Sequence, residues 1–288
     1  MPDIWGIGAI LSKLMLYVGI GGSTGLLIIR AAFADLVSPL SDRMSVQVAL
    51  LAALALAGSV LGFMLRGAAL TGGPDGLTDP EMLGLLWQTP VGDVLVSRVT
   101  GVVLIIVGVF IPFGGQWIAL AGGLLALWSF AQIGHVPELE LKGVRLLLLL
   151  HLLGVAFWIG ILGPLRTLSQ RPEYLSNAAM LGHRFGQAAS VIVPALIVAG
   201  LLMAWMLLGD LWALTTTGYG QTLLIKLALV GAVLTFAAAN KLRFVPAMQA
   251  GDEKAARHLA RSIEIETAII LVVLAATATL TSVLSLPN

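Results

Sequence analysis

The sequence predicts an all-α, polytopic membrane bundle of eight transmembrane helices, on three grounds. Of its 288 residues 58% are hydrophobic and only 11% charged, where soluble domains carry about a quarter charged residues. The mean hydropathy is +0.99. The apolar residues also fall into runs near the roughly 20 needed to cross a hydrocarbon core of about 30 Å, and the polar gaps between them are too short for a soluble domain. Backbone polar groups in lipid must be satisfied within the segment, which leaves helices. Barrel strands would alternate over about ten residues, and these runs do not.

In order, the expected spans are Ile7 to Ile29, with Lys13 inside it, Val46 to Leu65, and Val94 to Ile111. A PFGGQ turn (Pro112 to Gln116) then leads into Trp117 to Ile133. Val144 to Leu165, Ala188 to Leu208, Leu223 to Ala239 and Thr267 to Leu286 complete the set. The N-terminal MPDIWGIG has neither a basic n-region nor a small-residue cleavage site and reads as the start of a retained helix. Residues 1–288 form one integral membrane domain with two four-helix halves, 1–134 and 135–288. The halves are expected to be related by a parallel repeat, because TPVGDVLVSR (Thr89 to Arg98) and TGYGQTLLIK (Thr217 to Lys226) share Thr-x-x-Gly-x-x-Leu-x-x-Arg/Lys. The loop from Leu70 to Gly92 is turn-rich, with a short amphipathic segment, Glu81 to Trp87, suited to the membrane interface or to a periplasmic partner.

Basic residues orient the chain. With eight spans both termini share a side, which carries Lys13, Arg66, Arg98, Lys142, Arg145 and Lys226. The other carries ten, including Lys241, Arg243, Lys254, Arg257 and Arg261 in the last loop. The termini are therefore expected to be periplasmic and the last loop cytoplasmic.

Cysteine is absent, which excludes thiolate metal sites and disulfides. The formal charge of +1 gives no case for nucleic acid. There is no nucleotide-binding glycine-rich loop, so no ATP hydrolysis or other enzymatic activity is expected. His135 closes the fourth span and His151 lies about seven residues into the fifth, roughly 10 Å below its outer end. A short loop joins these spans, so the two imidazoles are expected to approach one another. Imidazole suits copper and zinc, and thioethers suit Cu(I), so Met203 and Met206 on the sixth span join the candidate metal ligands. Packing is the commoner role of methionine at helical spacing. Glu138 and Glu140 follow His135 as candidates for outer cation capture. Glu264 and Glu266 open the eighth span and, two residues apart, point to different faces. His183 and His258 read as inner-surface residues. Arg98 and Lys226 lie within the outer halves of their helices, where long cationic side chains either snorkel to the headgroups or face the bundle. Two other functions fit the same residues: ligation of a b-type haem by His135 and His151, and a non-transporting partner or sensor of a periplasmic protein.

Several segments occur in a fixed order: Gly134–His135; HLLGVAFWIGIL with His151, Trp158 and Gly160; HRFGQAA (His183 to Ala189); TGYGQTLLIKLALV; AANKLRFVP (Ala238 to Pro246); and RSIEIETAIILVVL (Arg261 to Leu274). This series resembles the copper resistance D family of bacterial inner-membrane proteins, continuously from about Gly134 to Pro287 and more weakly over the first four spans. The resemblance implies copper as the ion handled and a CopC-like periplasmic copper-binding protein as partner. It matches His135 and His151 to the family's histidines, Glu266 to the acidic residue of the last helix, and Asn240 and Pro246 to its Asn-Arg…Pro segment. Lys241 stands where the family often has Arg, and Val136 where it has a small residue.

Overall fold

A computed structural model describes residues 3–139 and 141–286. Eight helices dominate it: α1 Ile4–Ala32, α2 Ser41–Thr71, α3 Pro90–Phe110, α4 Gly115–Trp128, α5 Val144–Ser169, α6 Leu175–Leu208, α7 Gly218–Ala239 and α8 Glu253–Ser282. There is no strand among the described residues. Seven of the eight are long and apolar enough to cross a membrane. The exception is α4, which with its 3₁₀ continuation Ser129–Ala131 reaches the lower limit for a span.

The helix ends follow local chemistry. Thr89 caps α3 ahead of Pro90, its Oγ1 accepting from the Val91 N–H at 3.2 Å. Thr217 caps α7 in the same way, accepting from the Gly220 N–H at 3.0 Å. Both members of the repeated motif therefore open a helix at its threonine. Asp252 caps α8 through the Lys254 N–H. The expected amphipathic segment in the long outer loop is the helix Pro80–Trp87, capped by Asp79.

At the end of the bundle opposite the chain termini, the inner end under the expected orientation, α6 and α8 begin well before their apolar windows. Ala178, Leu181 and Gly182 of α6, and Ala255, Ala256, Leu259 and Ile263 of α8, are buried at helical spacing. Basic residues occupy the opposite faces. An apolar stripe in an otherwise charged segment packs well but scores as polar in a hydropathy window, so both helices continue beyond the expected spans.

The hub is α1, which packs on α2, α4, α5 and α8. Its closest crossing is with α5, where a Cβ at Gly25 would collide with the Ala156 carbonyl and the Gly160 backbone. Small residues at such a crossing bring backbones together where lipid supplies no hydrophobic drive for helix association. Matching pairs occur in the two halves: α1 on α2 and α5 on α6, α3 on α4 and α7 on α8. They part at one place. While α2 packs on α3, α6 and α7 barely touch along their spans. A cavity of about 190 Å³ lies there, between α5, α6, α7 and α8. Two exposed ion pairs tie the inner end together, Arg166–Glu264 at 2.6 Å between α5 and α8, and Arg184–Asp35 at 2.9 Å.

Candidate functional site

His135 follows Gly134, whose φ of 122° is a conformation that glycine accepts and other residues rarely do. The turn brings the imidazole over the outer ends of α7 and α8. Its Nε2 lies 3.2 Å from the Leu284 carbonyl, and its ring meets buried Tyr219 edge-on at 6.2 Å. A carbonyl only accepts, so Nε2 carries a proton, and in the neutral ring Nδ1 is the nitrogen that keeps its lone pair. The Glu138 carboxylate is 4.0 Å from Nδ1 and largely exposed. Glu140 lies outside the described residues.

His151 sits on α5 with its Nδ1 3.2 Å from the Leu196 carbonyl of α6. The same argument protonates Nδ1 and leaves the Nε2 lone pair free. On α6, Leu196, Gly200 and Met203 follow one another at spacings of four and three, and so share a face. A Cβ at Gly200 would lie 3.1 Å from His151 Cε1. Met203 is buried at 6% exposure, one turn outward on this face, whereas Met206 is 36% exposed on the outside of the bundle.

The two histidines have no partner in common. His135 packs on Tyr219 at the start of α7, while the Lys226 ammonium, seven residues further along α7, lies within electrostatic reach of His151. Seven residues of helix are roughly 10 Å of depth. The rings thus belong to successive levels of the outer half, where a single shared pocket was expected. Arg98 turns inward to α4, its Nε donating to Ser129 Oγ at 3.0 Å and its guanidinium lying 5.1 Å from the Phe130 ring centre. Lys226, partly buried, makes no hydrogen bond or ion pair among the described residues.

A second cluster lines the inner cavity. Glu266 is only 2% exposed, while Glu264 is paired at the surface with Arg166, as their two-residue spacing requires. Asn240 Nδ2 donates to Glu266 Oε1, and the Trp158 indole N–H is within reach of the same carboxyl. Asn240 Oδ1 is buried without a partner. Asn240 opens a π-helical turn, Asn240–Phe244, that joins α7 to the short helix Val245–Gln249. Pro246 has no N–H to continue an α-helical ladder, and the widened turn absorbs its absence. Lys241 Nζ donates to Ser190 Oγ across to α6 at 2.7 Å. The cavity walls are otherwise apolar, with Ile161, Leu165, Phe185, Leu234 and Ile263 among them. His183 and His258 are exposed on the inner side, the latter stacked on Phe244.

Sequence reasoning missed Tyr219, Ser190 and the two carbonyls. Tyr219 lies inside the repeated TGYGQ segment and was findable there; a backbone carbonyl that orients an imidazole leaves no mark in sequence. Among the described residues no three His, Cys, Asp or Glu side chains converge as a metal-holding group, so any metal site here draws on fewer such groups, or on thioether and backbone donors.

Two protein-family models match the chain: copper resistance protein D over residues 179–280, and the copper resistance protein D-like N-terminal domain over residues 1–140. Neither a curated protein nor a solved structure matches it. The two family matches between them span most of the chain, which belongs to the copper resistance protein D family of multi-pass membrane proteins.

Proposed function

We propose that the protein moves copper across the bacterial inner membrane, with both termini periplasmic and a CopC-like protein as donor or acceptor at the outer face. Copper is captured at the rim by His135, assisted by the carboxylates of Glu138 and Glu140. It passes to His151 about two turns deeper, with Met203 as soft co-ligand and Met206 as the outer methionine of the same helix. Glu266 serves as the inner relay. The two halves act as a parallel repeat, a reading supported by the shared Thr-capped entries of α3 and α7.

One observation carries this reading. Each imidazole is placed to donate one ring N–H to a backbone carbonyl, which in the neutral ring leaves the other nitrogen with a free lone pair. Metal-ligating histidines are oriented in this way, because the second hydrogen bond fixes the tautomer and raises the basicity of the ligating nitrogen. The chemistry suits Cu(I), which accepts imidazole and thioether at low coordination number.

The test is metal analysis of purified protein, wild type against a His135→Ala/His151→Ala double variant, alongside copper accumulation in cells expressing each at equal levels. Copper bound per chain and cellular accumulation should both fall. Equal copper content and equal accumulation would remove the histidines from the path.

A further inference from the structure

We propose that Lys13, Arg66 and Arg98 form a binding site for the phosphate of an anionic phospholipid in the leaflet at the chain-termini end. The three cations come from α1, α2 and α3: Lys13 and Tyr17 meet on Thr281, the Tyr17 ring lies 5.1 Å from the Phe130 ring that carries the Arg98 guanidinium, and α1 packs on α2 beside Lys13 and Arg66, where a Cβ at Gly62 would lie 3.3 Å from Ser12 Oγ. None has a carboxylate partner among the described residues: the three ion pairs lie elsewhere, and the acids of the neighbouring outer loop, Asp75, Asp79, Glu81 and Asp93, pair with none of them.

The side chains are held in place with donors to spare. Lys13 Nζ gives one hydrogen bond to the Thr281 carbonyl at 2.6 Å, and Tyr17 beside it bonds Thr281 Oγ1 at 3.1 Å. Arg98 gives its Nε–H to Ser129 and lays its guanidinium against Phe130. Arg66 is exposed and gives no hydrogen bond among the described residues. An ammonium has three N–H donors and a guanidinium five, so most of the donor capacity of the cluster is unspent. Three like charges at the membrane edge repel one another, and an anion with several oxygens removes that repulsion while filling the donors. Guanidinium forks match phosphate oxygens in pairs.

Depth identifies the source of the phosphate. The backbones of Lys13, Arg66 and Arg98 lie nine, five and eight residues from the outer ends of their helices, but the cationic heads reach outward: Lys13 Nζ meets Thr281, one residue from the outer end of α8, and Arg98 Nε meets Ser129, just past the outer end of α4. One turn from Arg66 on α2, Phe63 meets the half-exposed Trp87 edge-on at 6.4 Å. Such aromatic pairs mark the headgroup level of a bilayer. A phosphate at this level belongs to a lipid.

The experiment is native mass spectrometry of the detergent-purified protein supplied with phosphatidylglycerol or phosphatidylcholine. Two variants accompany the wild type, Arg66→Gln and the triple Lys13→Gln/Arg66→Gln/Arg98→Gln, with helical content checked by circular dichroism. Each charge near a membrane surface contributes about a fivefold change in binding to an anionic lipid. Wild type should retain phosphatidylglycerol over phosphatidylcholine, Arg66→Gln should lose about fivefold, and the triple variant should keep no preference. Arg66 is exposed and unbonded, so its variant folds even if the triple does not. Equal retention of the two lipids by wild type, or undiminished preference in Arg66→Gln, overturns the site. Charge-dependent binding of inorganic phosphate to lipid-free protein, without preference for phosphatidylglycerol, overturns the lipid as source and leaves a free-phosphate site. None of these readouts involves copper, so failure here is distinct from failure of the transport reading.

Discussion

Asn240→Ala probes the buried carboxyl from the side that can be changed without removing it. In the wild type the Asn240 amide donates to Glu266, whose side chain is 2% exposed. At alkaline pH, where the carboxyl is ionised, a hydrogen bond to it contributes about 1.5–3 kcal/mol. The same substitution deletes Asn240 Oδ1, buried without a partner, and relieving an unsatisfied amide oxygen returns about 1 kcal/mol on the scale of protein mutational data. The net destabilisation should therefore be about 0.5–2 kcal/mol. In a Glu266→Gln background the acceptor is neutral, the hydrogen bond contributes only about 1 kcal/mol, and the substitution should cost close to nothing. A double-mutant cycle on SDS-driven unfolding, followed by tryptophan fluorescence, should give a coupling of about 1 kcal/mol. Additivity to within about 0.3 kcal/mol, the behaviour of independent sites, would refute a charged Glu266 held by Asn240.

The crossing of α1 on α5 makes a sharper steric prediction. Gly25→Ala must push apart backbones that a Cβ cannot fit between, at a cost of about 3 kcal/mol, whereas Gly21→Ala meets only Ile159 Cδ1 at 3.7 Å and should be tolerated; yield and thermal stability of the purified variants read both. The natural absence of cysteine permits single-cysteine topology mapping: Asp3→Cys should label with an impermeant maleimide in intact cells and Lys254→Cys only after lysis, and the reverse pattern overturns the assigned orientation. Lys226→Gln should tighten copper retention about tenfold, or about 1.4 kcal/mol, in competition with a Cu(I) chelator; unchanged affinity would mean that the ammonium does not act on the metal at His151.

Sequence logic succeeded where a property repeats along one helix and faltered where it depends on which helices meet. Continuous apolar runs identified the spans, and the two-residue spacing of Glu264 and Glu266 already required that one face out. The inner extensions of α6 and α8 escaped because burial there follows a narrow stripe of alanine and leucine among charges, which averages to a polar window. The levels of the two histidines escaped for a different reason. Neighbouring positions in sequence across a short loop suggested convergence, but the positive φ of Gly134 carries His135 away to the end of α8. The separation of α6 from α7 was equally invisible, since both helices are as apolar as those that pack tightly and differ only in what stands opposite them.

The charges of the outer half bear directly on what the proposed copper path can do. Lys226 acts on His151, and Lys13, Arg66 and Arg98 cluster at the same end of the bundle. Two unit charges about 8 Å apart repel by roughly 2 kcal/mol at an effective dielectric of about 20, so an ion entering this region meets a penalty that its ligands must overcome. Two imidazoles oriented by carbonyls, at different depths and without a thiolate, make a weak rather than a deep well for the metal. Conduction requires this combination, binding strong enough to admit the ion and weak enough to release it. A phosphate bound at the cationic cluster would lower the barrier on that side of the bundle while leaving Lys226, on α7, unscreened, so that copper is attracted to His135 and held loosely at His151. The arrangement thus favours passage over storage, and the sign of the effect of Lys226 on retention decides between them.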